Sequence, residues 1–445
     1  MQQYIFTGRQ KTVLLGFIAL GVICLGLTFM NDDMYHTRFW TNFLHNSVFF
    51  TGIAFISLFI YSAFMTAYSG WHTVVKRIWE AYSLYMAVGL VLMGIIALGV
   101  WLHWHHLYHW AADGISDPNS EHYDKIIAGK SSFLNKSWYT FGALGILALW
   151  TFFAFRIRSL SLAEDKAGDS TYAIHKRMKR WVAAFLPIGA FTSAAAIWQW
   201  VMSLDAHWYS TMFAWYSSAS WFIAAMAMTI LMIIWLQAKG YLQEITKEHL
   251  HDLGKYLFAI SIFWTYLWFS QFMLIWYANV GEETVYFLTR RNEYPVLFYG
   301  NLVINFVLPF LILMRNDTKR KYGTLAFVSF LCLFGHWIDF FLMVKPGALH
   351  TAMEAAAHSG GDALSHAVDT HGADAHGAAA HGGDGHGDQA HAAIPPGFRM
   401  PGLLELGTFL GFLASFLYVA FSQLAKAPLI AKNDPYLAES LHHHV

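Results

Sequence analysis

The sequence has 445 residues, of which 56% are hydrophobic and only 13% charged, and its 28 basic side chains balance its 28 acidic ones. Soluble domains carry about 25% charged residues, so the composition excludes an ordinary soluble domain and predicts a polytopic membrane protein. Because neither charge is in excess, nothing indicates a nucleic-acid partner.

Ten apolar segments are long enough to cross a bilayer, which takes about 20 residues in a helix. The sequence lacks the alternation of a β-barrel, so the predicted fold is all-α, with every backbone group satisfied inside a helix. The segments lie near Thr12–Met30, Phe43–Tyr68, Ala81–Leu102, Ser137–Phe155, Trp181–Val201, Met212–Gln237, Tyr256–Asn279, Pro295–Met314, Thr324–Val344 and Gly402–Leu424.

The basic residues are divided unevenly between the two sides of the predicted membrane. Of the 28 Lys and Arg residues, 20 fall in the two tails and the even-numbered loops. Cytoplasmic loops carry the excess of Lys and Arg in membrane proteins. Both termini are therefore predicted to face the cytoplasm.

The chain has two cysteines, Cys24 and Cys332, and both lie within predicted helices. There is no CxxC, no CxxCH and no set of four cysteines. Iron–sulfur clusters and c-type haems need such ligands. The sequence therefore predicts that no cofactor is held covalently by this chain.

Glu80 is the first candidate functional residue, at the head of the third predicted helix. A carboxylate there suits the positive end of the helix dipole, and it would also suit the uptake of protons into a path. Further on, the segment His103–His109 contains four histidines. An aromatic interfacial segment is the favoured interpretation, and a metal site is the alternative.

Asp205 and His207 lie in the loop between the fifth and sixth helices, among Trp and Tyr rings. The loop is short, so both residues are expected close to the membrane surface. Histidine titrates near neutral pH and aspartate accepts protons, so the pair is fit for proton exchange. The alternative is that Asp205 caps the end of a helix and His207 is an ordinary side chain at the membrane interface.

The stretch Phe263–Tyr286 begins as an aromatic transmembrane segment and ends with the adjacent carboxylates Glu282 and Glu283. Placing carboxylates at the membrane end of such a helix costs free energy unless they are solvated, ion-paired or used in function. They are candidates for a quinone or proton site. The alternative is a loop in which they bind Arg290 or Arg291.

His336 and Asp339 form the strongest predicted site, inside the ninth helix. Residues three apart share one face of a helix, and ionisable residues within a membrane usually face the bundle interior or a wet cavity. Glu405, early in the tenth helix, is a weaker candidate of the same kind for a proton path.

The segment Lys345–Arg399, between the last two helices, is rich in Ala, Gly, His and Asp. Such a composition cannot build a core and predicts a solvated spacer, with transient binding of zinc or copper as the alternative. Its histidines recur every five residues, at His366, His371, His376, His381, His386 and His391.

Six of the candidates fall on or near the predicted outer side, on different helices and among aromatic side chains. An aromatic pocket with a few polar groups suits a flat apolar ligand with polar oxygens, such as a quinone. The same residues would also suit the outer half of a proton path with no quinone bound. They are Asp205, His207, Glu282, Glu283, His336 and Asp339.

Two stretches, Gln271–Tyr286 (QFMLIWYANVGEETVY) and Met202–Tyr216 (MSLDAHWYSTMFAWY), closely resemble a known membrane subunit. It is the smaller of two related subunits of bacterial alternative complex III, in the NrfD/polysulfide-reductase membrane-subunit family. The resemblance extends over all ten predicted helices and excludes the His-rich insert. Near Gly281 the sequence departs slightly from the usual Pro-Glu-Glu of the family but keeps both carboxylates. The positions matched by motif are Asp205, His207, Glu282 and Glu283.

The resemblance implies a multi-pass subunit of a quinol:cytochrome c oxidoreductase in the bacterial inner membrane. It would support quinone or menaquinone binding, proton transfer or both on the periplasmic side, although the quinol site is attributed mainly to the larger sister subunit. The expected partners are a multihaem cytochrome with haem c, an iron–sulfur protein, the sister NrfD-like subunit and lipids. Where the complex is coupled to oxygen reduction, a terminal oxidase joins them.

The resemblance also implies two four-helix bundles with peripheral first and last helices. The expected divisions are 1–40 for the first helix and outer loop, 41–201 and 202–344 for the bundles, 345–399 for the insert and 400–445 for the last helix and tail. Two other functions remain open. An ion or solute transporter would predict inverted repeats and broken helices, and a structural anchor for redox subunits would bind no ligand of its own.

Overall fold

A computed structural model of the chain describes residues 2–120, 122–168, 171–358 and 394–443. It is 77% helical, and ten of its helices are long and apolar enough to span a membrane. The described residues form no strand, so the predicted all-α polytopic fold is confirmed. The spanning helices, numbered α1 to α10, are Gly8–Met30, Thr37–Thr66, Lys76–Trp101, Trp138–Ala167, Ala173–Leu204, Met212–Ala238, Lys247–Ala278, Pro295–Leu313, Tyr322–Ala355 and Leu403–Leu424.

Three helices, α2, α6 and α9, pack against one another at the centre of the molecule and are buried over most of their length. Trp221 of α6 stacks on Phe340 of α9 with the ring centres 5.7 Å apart, and its indole covers Gly52 of α2. Small residues allow close helix packing where lipid provides no hydrophobic driving force. Helices α3, α4 and α5 surround α2, and helices α7 and α8 pack against α6 and α9.

The first and last helices cross each other through glycines. A Cβ atom at Gly21 of α1 would lie 2.6 Å from the Cα of Gly411 of α10, so the two backbones are in direct contact. Gly407 and Gly411 have the four-residue spacing that is common where membrane helices approach closely. A larger side chain at either Gly21 or Gly411 would push α1 away from α10.

The first and last described residues lie at one end of the bundle, named the terminal face; the other end is the opposite face. Gln3 Nε2 donates to the carbonyl of Ala425 at 2.7 Å. The C-terminal helix Leu437–Leu441 covers the start of α7, where His249 Nε2 lies 3.0 Å from the carbonyl oxygen of Ser440. That this face is cytoplasmic stays a prediction from the distribution of Lys and Arg.

Helix α9 continues beyond its apolar span to His358, about four turns past the end predicted near Val344. Lys345, which was expected to open the insert, is instead a fully buried helical residue, and its Nζ donates to Thr41 Oγ1 at 2.9 Å. The six regularly spaced histidines of the insert lie outside the described residues.

Candidate functional site

Asp339 and His336 lie near the middle of α9 and are both fully buried. The carboxylate of Asp339 accepts three hydrogen bonds, all from neutral donors on neighbouring helices. Trp264 Nε1 of α7 donates to Oδ2 at 3.0 Å, Asn301 Nδ2 of α8 donates to Oδ1 at 2.8 Å, and the Tyr216 hydroxyl of α6 also donates to Oδ1. The predicted pair is therefore the centre of a polar network built from four helices.

His336 forms the other half of this network. Its Nδ1 lies 2.9 Å from Ser220 Oγ and 3.9 Å from Asp339 Oδ2. Its Nε2 is buried and has no hydrogen-bond partner among the described residues. Leaving a buried polar atom unpaired costs about 1–3 kcal/mol, so this nitrogen remains available for a further proton donor or acceptor.

Helix α8 adds a second amide to the network at a widened π-helical turn, Val303–Val307. Asn305 Nδ2 donates to Asn301 Oδ1 at 2.6 Å, so that the Nδ2 of Asn301 is turned towards Asp339. Such π-helical turns often occur at functional sites. Neither asparagine was among the candidates predicted from the sequence, although two polar amides four residues apart in an apolar segment are a recognisable signal.

The network lies in the half of the helix bundle nearer the opposite face. Tyr216 and Asn301 are four and six residues from the opposite-face ends of α6 and α8, or about 6–9 Å at 1.5 Å per residue. A cavity of about 20 Å³ separates Asp339 from Arg290 on that side. This is room for one water molecule, whereas ligand pockets have about 300–1,000 Å³. Water therefore fits beside the carboxylate and a quinone ring does not.

Arg290 closes the cavity on the side of the opposite face. It is buried in the helix Gly281–Glu293, and its Nη2 donates to Asp205 Oδ2 at 2.9 Å. Its Nε donates to the carbonyl of Leu342 at 2.9 Å, and its guanidinium lies 3.4 Å from the ring centre of Tyr286. Burial opposes the charge, but Asp205 outweighs it and raises the pKa of Arg290. Asp205 thus serves as the counter-ion of a charged Arg290.

His207 belongs to a separate cluster at the opposite face. Its Nε2 donates to Asp124 Oδ2 at 2.6 Å, and its ring centre lies 5.7 Å from that of His109. The structure therefore separates the predicted pair, because Asp205 contacts Arg290 while His207 contacts the loop between α3 and α4. Of the two, Asp205 is the one connected to the cavity beside Asp339, through its ion pair with Arg290.

Replacing Asp124 by asparagine is expected to reduce the sensitivity of the folded protein to acid. Burial would raise the pKa of Asp124, but hydrogen bonds from His207 and from the amides of Ile127 and Ile126 outweigh it and lower the pKa. The folded state thus favours the carboxylate. Its contribution to stability is present above the unfolded pKa of about 3.9 and is lost as the pH falls through the lower, folded pKa.

Thermal unfolding from about pH 6 down to about pH 3 measures this effect. The midpoint of the wild-type protein should exceed that of the Asp124→Asn variant at the upper end, and the gap should close as the pH falls. The pair is partly exposed, so the gap corresponds to about 1 kcal/mol or less. A gap that is constant over the whole range would contradict the assignment.

Glu282 and Glu283 lie in the first turn of the helix Gly281–Glu293, outside the network. Glu282 is exposed and Glu283 is half-buried, and neither carboxylate has an ion pair with any described residue. Acidic side chains there suit the positive end of the helix dipole. The alternative in which they bind Arg290 or Arg291 is wrong: Asp205 pairs with Arg290, and Arg291 Nε donates to Asn292 Oδ1.

Glu80 lies at the terminal face within a set of buried ion pairs. Its Oε2 accepts hydrogen bonds from Arg77 at 2.9 Å and Arg158 at 2.5 Å, and its Oε1 accepts one from Ser161 Oγ at 2.6 Å. Removing one partner of a buried ion pair costs about 3–5 kcal/mol. This arrangement favours a structural role for Glu80 over proton uptake.

Glu405, at the opposite-face start of α10, is fixed in a similar way. Arg38 of α2 donates to it twice, from Nε at 2.7 Å and from Nη2 at 3.0 Å, and Asn42 Nδ2 donates at 3.0 Å. A two-point contact between arginine and a carboxylate is among the stronger hydrogen-bonded pairs in proteins. Glu405 therefore ties α10 to α2.

Glu164, His175 and Asp434, at the terminal face, are the described side chains that lie close enough together to hold a metal ion. Lys76 already supplies positive charge there, since its Nζ lies 3.5 Å from Glu164 Oε2 and is ion-paired with Asp434. A metal ion bound there would be repelled by the buried ammonium group of Lys76. These residues therefore form an ion-pair cluster.

The fold and the site together define a polytopic membrane protein whose buried acid, histidine, tyrosine and amide side chains form a network next to a water-sized cavity. A scan against models of protein families finds no match to the chain, and a search of curated proteins finds none. Neither comparison supports or contradicts the resemblance drawn from the two sequence motifs.

Proposed function

We propose that this protein is a proton-transferring membrane subunit of a quinol-oxidising respiratory complex, of the NrfD-like kind that its two motifs resemble. One observation carries the proton role. Asp339 is fully buried in a membrane-spanning helix and accepts hydrogen bonds from neutral donors only. Ionisable residues inside a membrane are costly to place there, and they commonly mark ion paths and proton relays.

The contrast with the other buried carboxylates supports this role. Glu80 and Glu405 are paired with arginines. Protonating Glu80 would leave the buried Arg158 unpaired, at a cost of about 3–5 kcal/mol, and protonating Glu405 would break its two-point contact with Arg38. Among the described residues, no Lys or Arg forms an ion pair with Asp339, and the imidazole of His336 is 3.9 Å away. Asp339 can therefore gain and lose a proton without breaking a salt bridge to Lys or Arg.

The proposed route joins Asp339 to the opposite face. A water molecule in the cavity of about 20 Å³ would bridge the carboxylate to the rim formed by Arg290 and Asp205, and bridging waters are nearly as effective as direct hydrogen bonds. Tyr216 and His336 flank the carboxylate, and both residue types can transfer protons.

The redox groups are proposed to belong to partner subunits. The cavity beside Asp339 is too small for a quinone ring, and Cys24 and Cys332 are both buried and unpaired, whereas iron–sulfur clusters and c-type haems are held by several cysteines. In this proposal the sister NrfD-like subunit binds the quinol, and haem c and iron–sulfur proteins carry the electrons. The membrane is the bacterial inner membrane, with both termini cytoplasmic and the Asp339 cavity towards the periplasm.

Purification of the native protein in mild detergent, with mass spectrometry of everything that co-purifies, tests the assignment to a complex. A multihaem cytochrome, an iron–sulfur protein and a second NrfD-like subunit in fixed ratio are the expected result. A lone, colourless and monodisperse protein would contradict it and would favour a transporter. Complete partners with an activity that does not depend on Asp339 would favour a structural anchor.

A further inference from the structure

A long apolar groove on the outer surface of α1, α6, α9 and α10 plays no part in the proposed proton route. Its volume is about 1340 Å³. Along α10 it extends from Phe421, near the terminal face, to Leu406, near the opposite face. These 15 residues correspond to roughly 22 Å at 1.5 Å per residue. The hydrocarbon core is about 30 Å thick and one acyl chain crosses about half of it, so the groove is long enough for a whole acyl chain.

The two ends of the groove differ in chemistry. Below the mouth it is lined by aliphatic and aromatic side chains such as Phe334, Phe409, Leu413 and Leu417. The polar side chains gather at the terminal face, and none of the described residues that line the groove is acidic. A ligand that matches it would have one polar head and a long apolar tail.

Two cations flank the mouth. Arg9 lies in the first turn of α1, and Lys239 follows α6 directly. Both are exposed, and neither side chain has an ion pair or a hydrogen bond with a described residue. Basic residues at a membrane surface attract anionic lipid headgroups. The charge of the mouth therefore favours an anionic head.

The neutral polar groups of the mouth are already hydrogen-bonded to one another. The Tyr4 hydroxyl donates to Gln10 Oε1 at 2.9 Å, and the same oxygen accepts the amide of Thr7 at 3.1 Å. The Tyr241 hydroxyl accepts the amide of Ile5 at 3.4 Å. The groups at the mouth that still lack a partner among the described residues are thus the two positive charges of Arg9 and Lys239.

We propose that the groove binds an anionic phospholipid, with its phosphate between Arg9 and Lys239 and one acyl chain along α10. A neutral isoprenoid quinone would fill the same apolar length but would leave both cations without a counter-charge. This proposal is independent of the proton role of Asp339, because the groove and the Asp339 cavity share no lining residue.

Native mass spectrometry of the delipidated full-length protein, titrated with phosphatidylglycerol, phosphatidylcholine or a long-chain ubiquinone, tests the proposal. We expect phosphatidylglycerol to bind most tightly. The double variant Arg9→Gln/Lys239→Gln should bind it roughly 30-fold more weakly, since each basic residue at a membrane surface contributes a factor of roughly five. Leu410→Trp, which fills the tail end of the groove, should also weaken binding, although it leaves the charge unchanged.

The matched control is Lys11→Gln/Lys247→Gln, which removes the same charge at the terminal face from exposed residues that do not line the groove. This variant should bind phosphatidylglycerol within about twofold of the wild-type protein. Equal binding of phosphatidylglycerol and phosphatidylcholine, equal loss in both double variants, or displacement of the lipid by an equal concentration of ubiquinone would overturn the proposal. Thermal unfolding midpoints of all variants establish that each one is folded.

Discussion

The Asp339→Asn variant of the intact complex is expected to assemble normally and to oxidise quinol at least about 100-fold more slowly, since general acid–base groups contribute about 10²–10⁴-fold. Asparagine keeps the size of the side chain, and its Oδ1 can still accept the hydrogen bonds from Asn301 and Tyr216. The Nδ2 that replaces Oδ2 cannot accept the one from Trp264. It cannot take up a proton. The rate of quinol oxidation, measured together with proton release, gives the direct readout.

The matched control for this experiment is Asp113→Asn, which removes a carboxylate from an exposed loop on the same face. Its rate should be close to that of the wild-type complex. If the Asp339→Asn complex contains every subunit and turns over within about twofold of wild type, Asp339 takes no part in the rate-limiting proton transfer. A loss of subunits would show instead that the network is structural.

The Glu80→Gln variant is expected to lose about 3–5 kcal/mol of stability, because it leaves the buried Arg158 without its counter-charge. Arg158 depends most on Glu80, since its other hydrogen bond is to the carbonyl of Gln423, at 3.2 Å. Arg77 retains an ion pair with Asp165. Thermal unfolding of the detergent-solubilised protein measures this loss, and the expected result is a large fall in the unfolding temperature.

Glu244→Gln is the control for Glu80→Gln, because it makes the same change at an exposed residue of the same face. Its effect should be within about 0.5 kcal/mol. The double variant Glu80→Gln/Arg158→Met should recover part of the loss, since the uncompensated charge is then removed. An unchanged unfolding temperature in Glu80→Gln would mean that water solvates these charges.

The fold was predictable because its signal is local. Each of the ten spanning helices appears in the sequence as a continuous apolar segment. In lipid, the backbone of such a segment must satisfy its own hydrogen bonds, and a helix does this. The end of α9 was not predictable in the same way. Its last turns, around Lys345, owe their burial to contacts with Thr41 and other residues distant in sequence.

The site was predictable only where its residues share one helix. The spacing of His336 and Asp339 placed them on one face of α9, and the structure brings them together. The donors Tyr216, Trp264 and Asn301 come from three other helices. Their convergence depends on how the helices pack, which no local pattern in the sequence encodes.

The same limit explains why carboxylates that looked alike in the sequence differ in their surroundings. Glu405 is fixed by Arg38, and Glu80 is fixed by Arg158, partners that are 367 and 78 positions away in the chain. Asp339 has no such partner among the described residues. Whether a buried acid is locked by a cation or free to exchange a proton is thus decided by tertiary packing.

Infrared difference spectroscopy of the purified protein tests most directly the central claim that Asp339 exchanges protons. The spectra are taken while the pH is stepped, in H₂O and in D₂O. The wild-type protein should show the carbonyl band of a protonated carboxyl group that changes with pH, shifts in D₂O and is absent from the Asp339→Asn variant. Identical difference spectra for the two proteins would contradict the claim, because Asp339 would then hold one protonation state throughout.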